Sequence, residues 1–383
     1  MSVRKSPPPS ASGPGAGGGM ALTKRARVDD DEADADPSMM LMTVASSGEG
    51  QRKSALVRSV KRTSGLEAPI VSLAGAHGGE ITACKFDPSG RTLAAASVDR
   101  SISLWNTYPP HENYGILPNV HKQAILDIAY SLDSEVLYSG GAEGQLISTD
   151  LKTGERLSRY SAHYGPLNSI AVALSGGREL VLTGGDDGVA RVWDLSMEGK
   201  EPVMEFDDGR DCPVTAVEWS KDGNQAFVGG VDNEVKVWDL RSGKVVYTLH
   251  GHTDTIASLA LSPSGHYLAA YSLDSALLIY DVRPFSSEHM RVYRSLTGAP
   301  AGFEGNLIRC AWSKHDGGSR IAAGGGDRSV TVWDVVDGKV AYKLPGHKGT
   351  VTGVDFHPRE PIILTGSKDT NLLLGELDAQ DYS

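Results

Sequence analysis

The chain has 383 residues, with 48 acidic against 37 basic side chains for a formal charge of −11, and 45 glycines where average usage near ~7% gives about 27. The glycine excess points to many tight turns. No window approaches the ~18 consecutive apolar residues of a membrane span, and Arg4, Lys5 and a Pro/Ser/Gly run stand where a signal peptide has its apolar core, so neither a spanning helix nor secretion is expected. Cys84, Cys212 and Cys310 lie far apart with no C-x-x-C pair, which argues against a disulfide framework or structural zinc.

Residues 1–62 form the first segment. They read PPPSASGPGAGGG, then DDDEADAD, then scattered basic residues, with no aromatic side chain. Such a stretch buries too little apolar surface to offset its ordering entropy and is expected to be a disordered tail. Lys24, Arg25 and Arg27 have the spacing of a short nuclear-import signal. The tail carries ten basic and seven acidic residues (+3), which leaves 27 against 41 (−14) for residues 63–383. Bare nucleic acid selects basic surfaces, so an acidic body favours protein partners.

From Pro69 one pattern recurs: an alternating apolar strand, a Gly/Pro turn, a second strand, an Asp-centred turn, and a third strand ending in Trp-Asp or a relative. The endings are Trp105-Asn106, Thr149-Asp150, Trp193-Asp194, Trp238-Asp239, Tyr280-Asp281, Trp333-Asp334 and Gly375-Glu376, with their second members 44, 44, 45, 42, 53 and 42 residues apart. Six residues before each ending stands an acidic residue: Asp99, Glu143, Asp187, Asp232, Asp274, Asp327 and Asp369. Upstream of these lie His77, His121, His163, His252 and His347, with Arg210 and Phe303 counted into the same slot of repeats four and six.

This pattern resembles the WD-repeat family, whose ~40–45-residue units each supply a four-stranded propeller blade. The resemblance, over about Pro69 to Leu377, implies an all-β fold: a seven-bladed WD-repeat β-propeller over residues 63–383, following the disordered N-terminal tail. The apolar segment at 69–73 is expected to pair with the last blade and close the ring, which removes two sheet edges. The resemblance also implies a structural tetrad in repeat one, His77, Ser97, Asp99 and Trp105, that ties a loop to a turn. A hydrolytic triad needs one nucleophile on a strained turn beside an oxyanion hole, whereas here the set recurs in every repeat. No catalytic residue, cofactor or metal site is expected. The Gly-Gly pairs at 140–141, 184–185 and 229–230 fall at second-strand ends, where close packing explains them better than phosphate binding. Cys84 and Cys310 read as small core residues, and the stretch 284–306 as an enlarged loop.

Five narrower segments, Leu66-Glu67-Ala68-Pro69-Ile70, Asp281-Val282-Arg283-Pro284-Phe285, Asn306-Leu307-Ile308-Arg309-Cys310, Leu344-Pro345-Gly346-His347 and Phe356-His357-Pro358-Arg359-Glu360-Pro361-Ile362-Ile363, resemble the WD-repeat subunits of the spliceosomal U5 small nuclear ribonucleoprotein. That resemblance implies a nuclear, non-enzymatic scaffold in pre-mRNA splicing. It would be a monomer within a large complex, bound to the particle's large scaffold protein and neighbouring GTPase, with indirect RNA contact and no membrane. By the family pattern the partner face includes Glu80, Thr82, Pro166, Asn168, Asp186, Thr255, Ile308, Thr350 and Lys368. Two other readings come from different classes. Val235, Val237 and Trp238-Asp239-Leu240-Arg241, with Arg283 as a partial second copy, resemble the box of substrate receptors of cullin-RING ubiquitin ligases, and a chromatin or signalling scaffold is the other alternative.

Overall fold

The computed structural model describes residues 62–197, 199–286 and 289–377. Lys24, Arg25 and Arg27, and with them all of the expected tail except Arg62, lie outside the described residues. Arg62 is part of the folded unit, because its Nε lies 2.8 Å from Glu376 Oε2.

Among the described residues there are seven four-stranded antiparallel sheets, arranged as the blades of a ring. In blade one the strands are Ile81–Phe86, Thr92–Ser97, Ile102–Asn106 and Asn113–Leu117, running from the axis outward. The alternation seen in sequence governs burial. First and second strands are buried almost throughout, while the fourth strands show one face to solvent. Those outer strands carry Arg156, Lys244 and Lys339, charges that discourage edge-to-edge pairing.

Blade seven is made from both ends of the described chain. Ile70–Leu73 pairs antiparallel with Leu372–Glu376, Ile70 facing Gly375 and Leu73 facing Leu372. Leu66 and Leu73 are buried with Ile81, Phe86, Trp105, Ile362 and Leu372, so the apolar core is continuous across the seam between blades seven and one.

The glycine pairs serve packing. A Cβ on Gly140 would lie 2.4 Å from Leu167 Cδ2 of the next blade, and one on Gly141 would lie 2.4 Å from His121 Nδ1. Cys84 and Cys310 are buried and free, and burial pushes both thiols up, Cys310 to about 11.

Two features depart from the sequence reading. The first is a one-residue slip of register at the start of the first strand in six blades, at Thr82, Leu126, Asn168, Thr215, Ala257 and Thr352. A bulge of this kind re-aims one side chain. Thr82 Oγ1 donates to Ile125 O at 2.7 Å, Asn168 Nδ2 to Val214 O at 2.9 Å and Thr352 Oγ1 to Ile81 O at 2.5 Å, so each ties its blade to the next.

The second is the stretch 284–306, which is not one enlarged loop. It contains a regular fourth strand, Val292–Thr297, and its extra length lies on either side of that strand. In the other blades the turn residue before the acidic one donates its N–H to the residue three after the histidine slot, as Val98 N does to Glu80 O at 2.9 Å. In blade six Gly326 N donates to Pro300 O at 2.7 Å. The slot is therefore at Thr297, not Phe303, and the inserted residues follow Pro300.

Candidate functional site

In blade one His77 Nδ1 lies 3.2 Å from Asp99 Oδ2, and His77 Nε2 lies 2.7 Å from Ser103 Oγ. Trp105 Nε1 donates to the same Ser103 Oγ at 2.9 Å. With a neutral imidazole the chain has one polarity: Trp N–H to Ser oxygen, Ser O–H to Nε2, and Nδ1–H to the carboxylate. Burial lowers the His77 pKa even though Asp99 raises it, which keeps the ring neutral at pH 7. Asp99 also accepts from Gly78 N and Ser101 N, both at 2.9 Å, and these bonds with Ser101 Oγ hold its carboxyl down at about 2 against the burial penalty.

Ser97 is not in this network. Its Oγ accepts the Asp99 N–H at 3.1 Å inside the turn. In blades two, three and seven the hydroxyl stands four residues before the acid, Ser139 for His121, Thr183 for His163 and Thr365 for His347, at 2.8, 2.8 and 2.9 Å, while in blade five His252 Nε2 lies 3.2 Å from the backbone oxygen of Ala270. Blade one has Ala95 there, and Ser103 on the adjoining third strand supplies the oxygen from the other side.

Blades four and six replace the histidine differently. In blade four Lys236, buried on the third strand, places its ammonium between Asp208 and Asp232. Arg210, counted into the histidine slot, is exposed and reaches Glu234 at 3.1 Å. In blade six Phe303 is wholly exposed, and backbone fills the space: Trp333 Nε1 donates to Thr297 O at 2.9 Å and Thr331 Oγ1 to Gly298 O at 3.4 Å.

The residues expected on a partner face divide into three groups. Glu80 and Asp186 are exposed, and Pro166, Thr255 and Lys368 are half-buried, around the mouth of the channel that contains the loops preceding each first strand. Lys368 Nζ joins Glu80 at 3.3 Å and Glu304 of the blade-six insertion at 2.9 Å. Thr82 and Asn168 are committed to the inter-blade bonds, and Asn168 Nδ2 also donates to Asp186 Oδ1 at 2.6 Å; Thr350 is buried as well. Ile308 is fully buried in the core, a correction that follows from the slot at Thr297. The exposed apolar side chains Val98, Tyr164, Val231 and Phe303 belong to the same loops and turns and complete the mouth.

Sequence reading missed the channel itself. Arg309 Nη2 of blade six crosses it to Asn168 O at 2.6 Å and Asp127 Oδ2 at 3.3 Å, in blades three and two. Above this strut lies a cup of about 270 Å³ lined by Glu80, Thr82, Leu126, Leu307 and Lys368. A second cavity of about 380 Å³ is lined by Lys85, Glu218, Lys314 and Asp355. Burial raises the Glu218 pKa, whereas Lys314 and Lys85 pull that of Asp355 down against its burial. The signal available in sequence was a charged residue at an inward position of an otherwise apolar first strand. Among the described residues no group of three His, Cys, Asp or Glu side chains could hold a metal.

Comparisons with known proteins bear on what this ring does. The model of the WD domain, G-beta repeat, matches residues 68–106, 243–281, 294–334 and 338–374, and that of the Nucleolar protein 10-like N-terminal domain matches residues 91–255. The pre-mRNA-splicing factor cwf17 of Schizosaccharomyces pombe is 39% identical over 320 residues, covering 83% of this chain and 91% of the relative. The U5 small nuclear ribonucleoprotein 40 kDa proteins of Bos taurus and Homo sapiens are 41% and 40% identical over 334 residues, 86% of this chain and 90% and 91% of theirs. The chain belongs to this U5 40 kDa family of WD-repeat proteins.

Two of the segments that resembled the U5 40 kDa family in sequence meet at the seam, where Leu66 and Ile362 share one buried core. His357 packs edge-on against Phe86 and Tyr108, and its Nε2 lies 2.9 Å from Gly90 O. Glu360 accepts from Tyr108 OH at 2.6 Å and from Gly65 N at 2.8 Å. The narrow sequence signature of the U5 40 kDa family is therefore partly a signature of ring closure.

Proposed function

We propose that this chain is a non-enzymatic scaffold subunit of the U5 small nuclear ribonucleoprotein, acting in pre-mRNA splicing through protein–protein contacts in the nucleus. The observation that carries the reading is identity near 40% over most of both chains with U5 40 kDa proteins and cwf17. The channel mouth, with Glu80, Asp186 and Lys368 beside exposed Tyr164 and Phe303, has the mix of aromatic and charged groups that suits a protein interface. Its partners would be the particle's large scaffold protein and the neighbouring GTPase, with RNA reached indirectly. The recurrent His–Asp pairs argue for a structural role, since each pair lies inside its own blade and the hydroxyls that face the imidazoles, Ser103, Thr183 and Thr365, are buried. Lys24, Arg25 and Arg27 would serve nuclear entry.

The ligase-receptor reading is not favoured. The box overlaps the ordinary blade pattern, so only Arg241 and, in the partial second copy, Arg283 distinguish it, and Arg283 is paired with Asp281, its Nε and Nη2 at 2.9 and 2.6 Å from the carboxylate.

Affinity purification of the tagged full chain from nuclear extract tests the proposal. U5 RNA and splicing proteins should co-purify, and a double Tyr164→Glu, Phe303→Glu variant should lose them while keeping its melting midpoint. Recovery of cullin or histone-modifying subunits without U5 RNA would overturn it.

A further inference from the structure

The segment leading into the ring-closing strand is held by carboxylates from the opposite end of the described chain. Glu376 Oε1 accepts from Thr63 N at 2.6 Å, Ser64 N at 2.7 Å and Thr63 Oγ1 at 2.9 Å, and Thr63 Oγ1 also donates to Leu377 O at 3.0 Å. Glu360 Oε2 accepts from Gly65 N at 2.8 Å. Arg62 lies against Glu376 through Nε and caps Leu66 O through Nη2 at 2.9 Å, which seats Leu66 in the seam core. Three backbone N–H groups and one hydroxyl thus converge on two carboxylates to form a clasp. These bonds and Arg62 hold the Glu376 carboxyl below its usual range although burial opposes them.

Two hydroxyls occur here side by side, Thr63 exposed and Ser64 half-buried, directly after Lys61 and Arg62. Basic residues two and three positions before a hydroxyl suit a kinase whose peptide groove is acidic. A phosphoryl group on either residue would add about −1.5 to −2 charges at pH 7. It would stand against Glu376 and Glu360, with Arg62 as the single cation bonded within the clasp among the described residues, so repulsion would separate the segment from both carboxylates and loosen Leu66.

We propose that the Thr63–Ser64 pair is a phosphoacceptor site whose modification by a basic-directed, ATP-dependent serine/threonine kinase opens the clasp over the seam. In the step the hydroxyl oxygen attacks the γ-phosphorus of ATP. An O–P bond forms, the bond from that phosphorus to the β,γ-bridging oxygen breaks, ADP leaves with the electron pair, and the hydroxyl proton passes to solvent. Because Thr63 Oγ1 is engaged in the closed form, the kinase acts on the opened clasp and the phosphate then prevents reclosure. The switch is independent of what the ring carries.

The test uses the full chain with Mg-ATP and the catalytic subunit of cyclic-AMP-dependent kinase as the probe. Mass mapping should find phosphate on Thr63 or Ser64. Amide exchange at residues 63–66 and 70–73 should accelerate at least tenfold, and the melting midpoint should fall by about 3 °C or more. A Thr63→Ala, Ser64→Ala variant should take up no label in this segment. In a Glu360→Gln, Glu376→Gln variant the repulsion is gone, so phosphate should leave the already weakened midpoint unchanged. Absence of label from both hydroxyls overturns the proposal, as does labelling that leaves exchange at these amides unaltered.

Discussion

Asp99 shows how one side chain holds two loops. Its carboxylate gathers His77, Gly78 N and Ser101 N, so Asp99→Ala takes the charged acceptor from a buried imidazole N–H, leaving it Ser101 Oγ at 3.1 Å, and strips two backbone N–H groups of theirs, at a cost of about 1–3 kcal/mol. The pH dependence follows from its folded pKa of about 2 against about 3.9 unfolded. A depressed carboxyl contributes stability that is present above the unfolded value and disappears as pH falls through the folded one. The gap in urea midpoint between wild type and variant should therefore be full at pH 6 and shrink between about pH 4 and pH 2. His77, His121 and His347 act in the same direction at higher pH. Each is lowered by burial, so the unfolded chain binds more protons below about pH 6.5 and the wild-type midpoint should begin to fall there. Backbone conformation gives a second residue-scale prediction. The residue after each turn acid is left-handed in all seven blades: Arg100, Gly144, Gly188, Asn233, Ser275, Arg328 and Thr370. Thr370, at φ 71°, is the β-branched member and pays the largest steric cost. Thr370→Asn should raise stability by about 0.5–1 kcal/mol, read as a higher melting midpoint, and a lower midpoint would show that the threonine side chain has another role there.

At the scale of the blade, the turn acid is constant while its partner varies. Blade four substitutes Lys236, held between Asp208 and Asp232, for a neutral histidine. Removing one member of a buried charge cluster strands the others. Lys236→Met should cost about 3–5 kcal/mol, and adding Asp208→Asn with Asp232→Asn should recover part of it, measured by denaturant midpoint. If Lys236→Met alone is neutral, the cluster is solvated and blade four is held by packing. The same comparison explains what was legible in sequence. Strand alternation and the acid six residues before Trp-Asp are local patterns, and they placed all seven blades. The family resemblance counts Ser97 into the tetrad, yet the required geometry is cross-strand, and Ser103 satisfies it from the neighbouring strand. Counting from Phe303 failed because an insertion after Pro300 shifts the slot to Thr297, and the error carried through to Ile308. Arg309, Lys85 and Asp355 acquire their meaning across the channel, between residues dozens to hundreds apart, where no spacing rule reaches.

The whole ring depends on one seam. Every other blade is contiguous in sequence, but blade seven takes its outer strand from Ile70–Leu73 and its inner three from Val351–Glu376. Closing it joins segments about 300 residues apart, so the entropy of that junction is met by the carboxylate clasp, the His357–Phe86–Tyr108 cluster and the buried Leu66 and Leu73. Truncations separate these contributions. Deletion of residues 1–61 takes away none of the described residues and should leave the melting midpoint unchanged. Deletion of residues 1–73 takes away the clasp, two buried leucines and the outer strand, exposing the edge of Leu372–Glu376. Burial of the two leucines alone is worth about 3–6 kcal/mol, so this form should melt well below wild type and associate through the bare edge, seen as concentration-dependent light scattering. Deletion of residues 346–383 removes the three inner strands and should abolish both folding and recovery of U5 RNA from extract. If the 1–73 deletion melts like wild type and stays monomeric, strand Ile70–Leu73 is not what closes the ring. If the 346–383 deletion still recovers U5 RNA at wild-type level, binding does not require a closed propeller, and the partner surface lies within the first six blades.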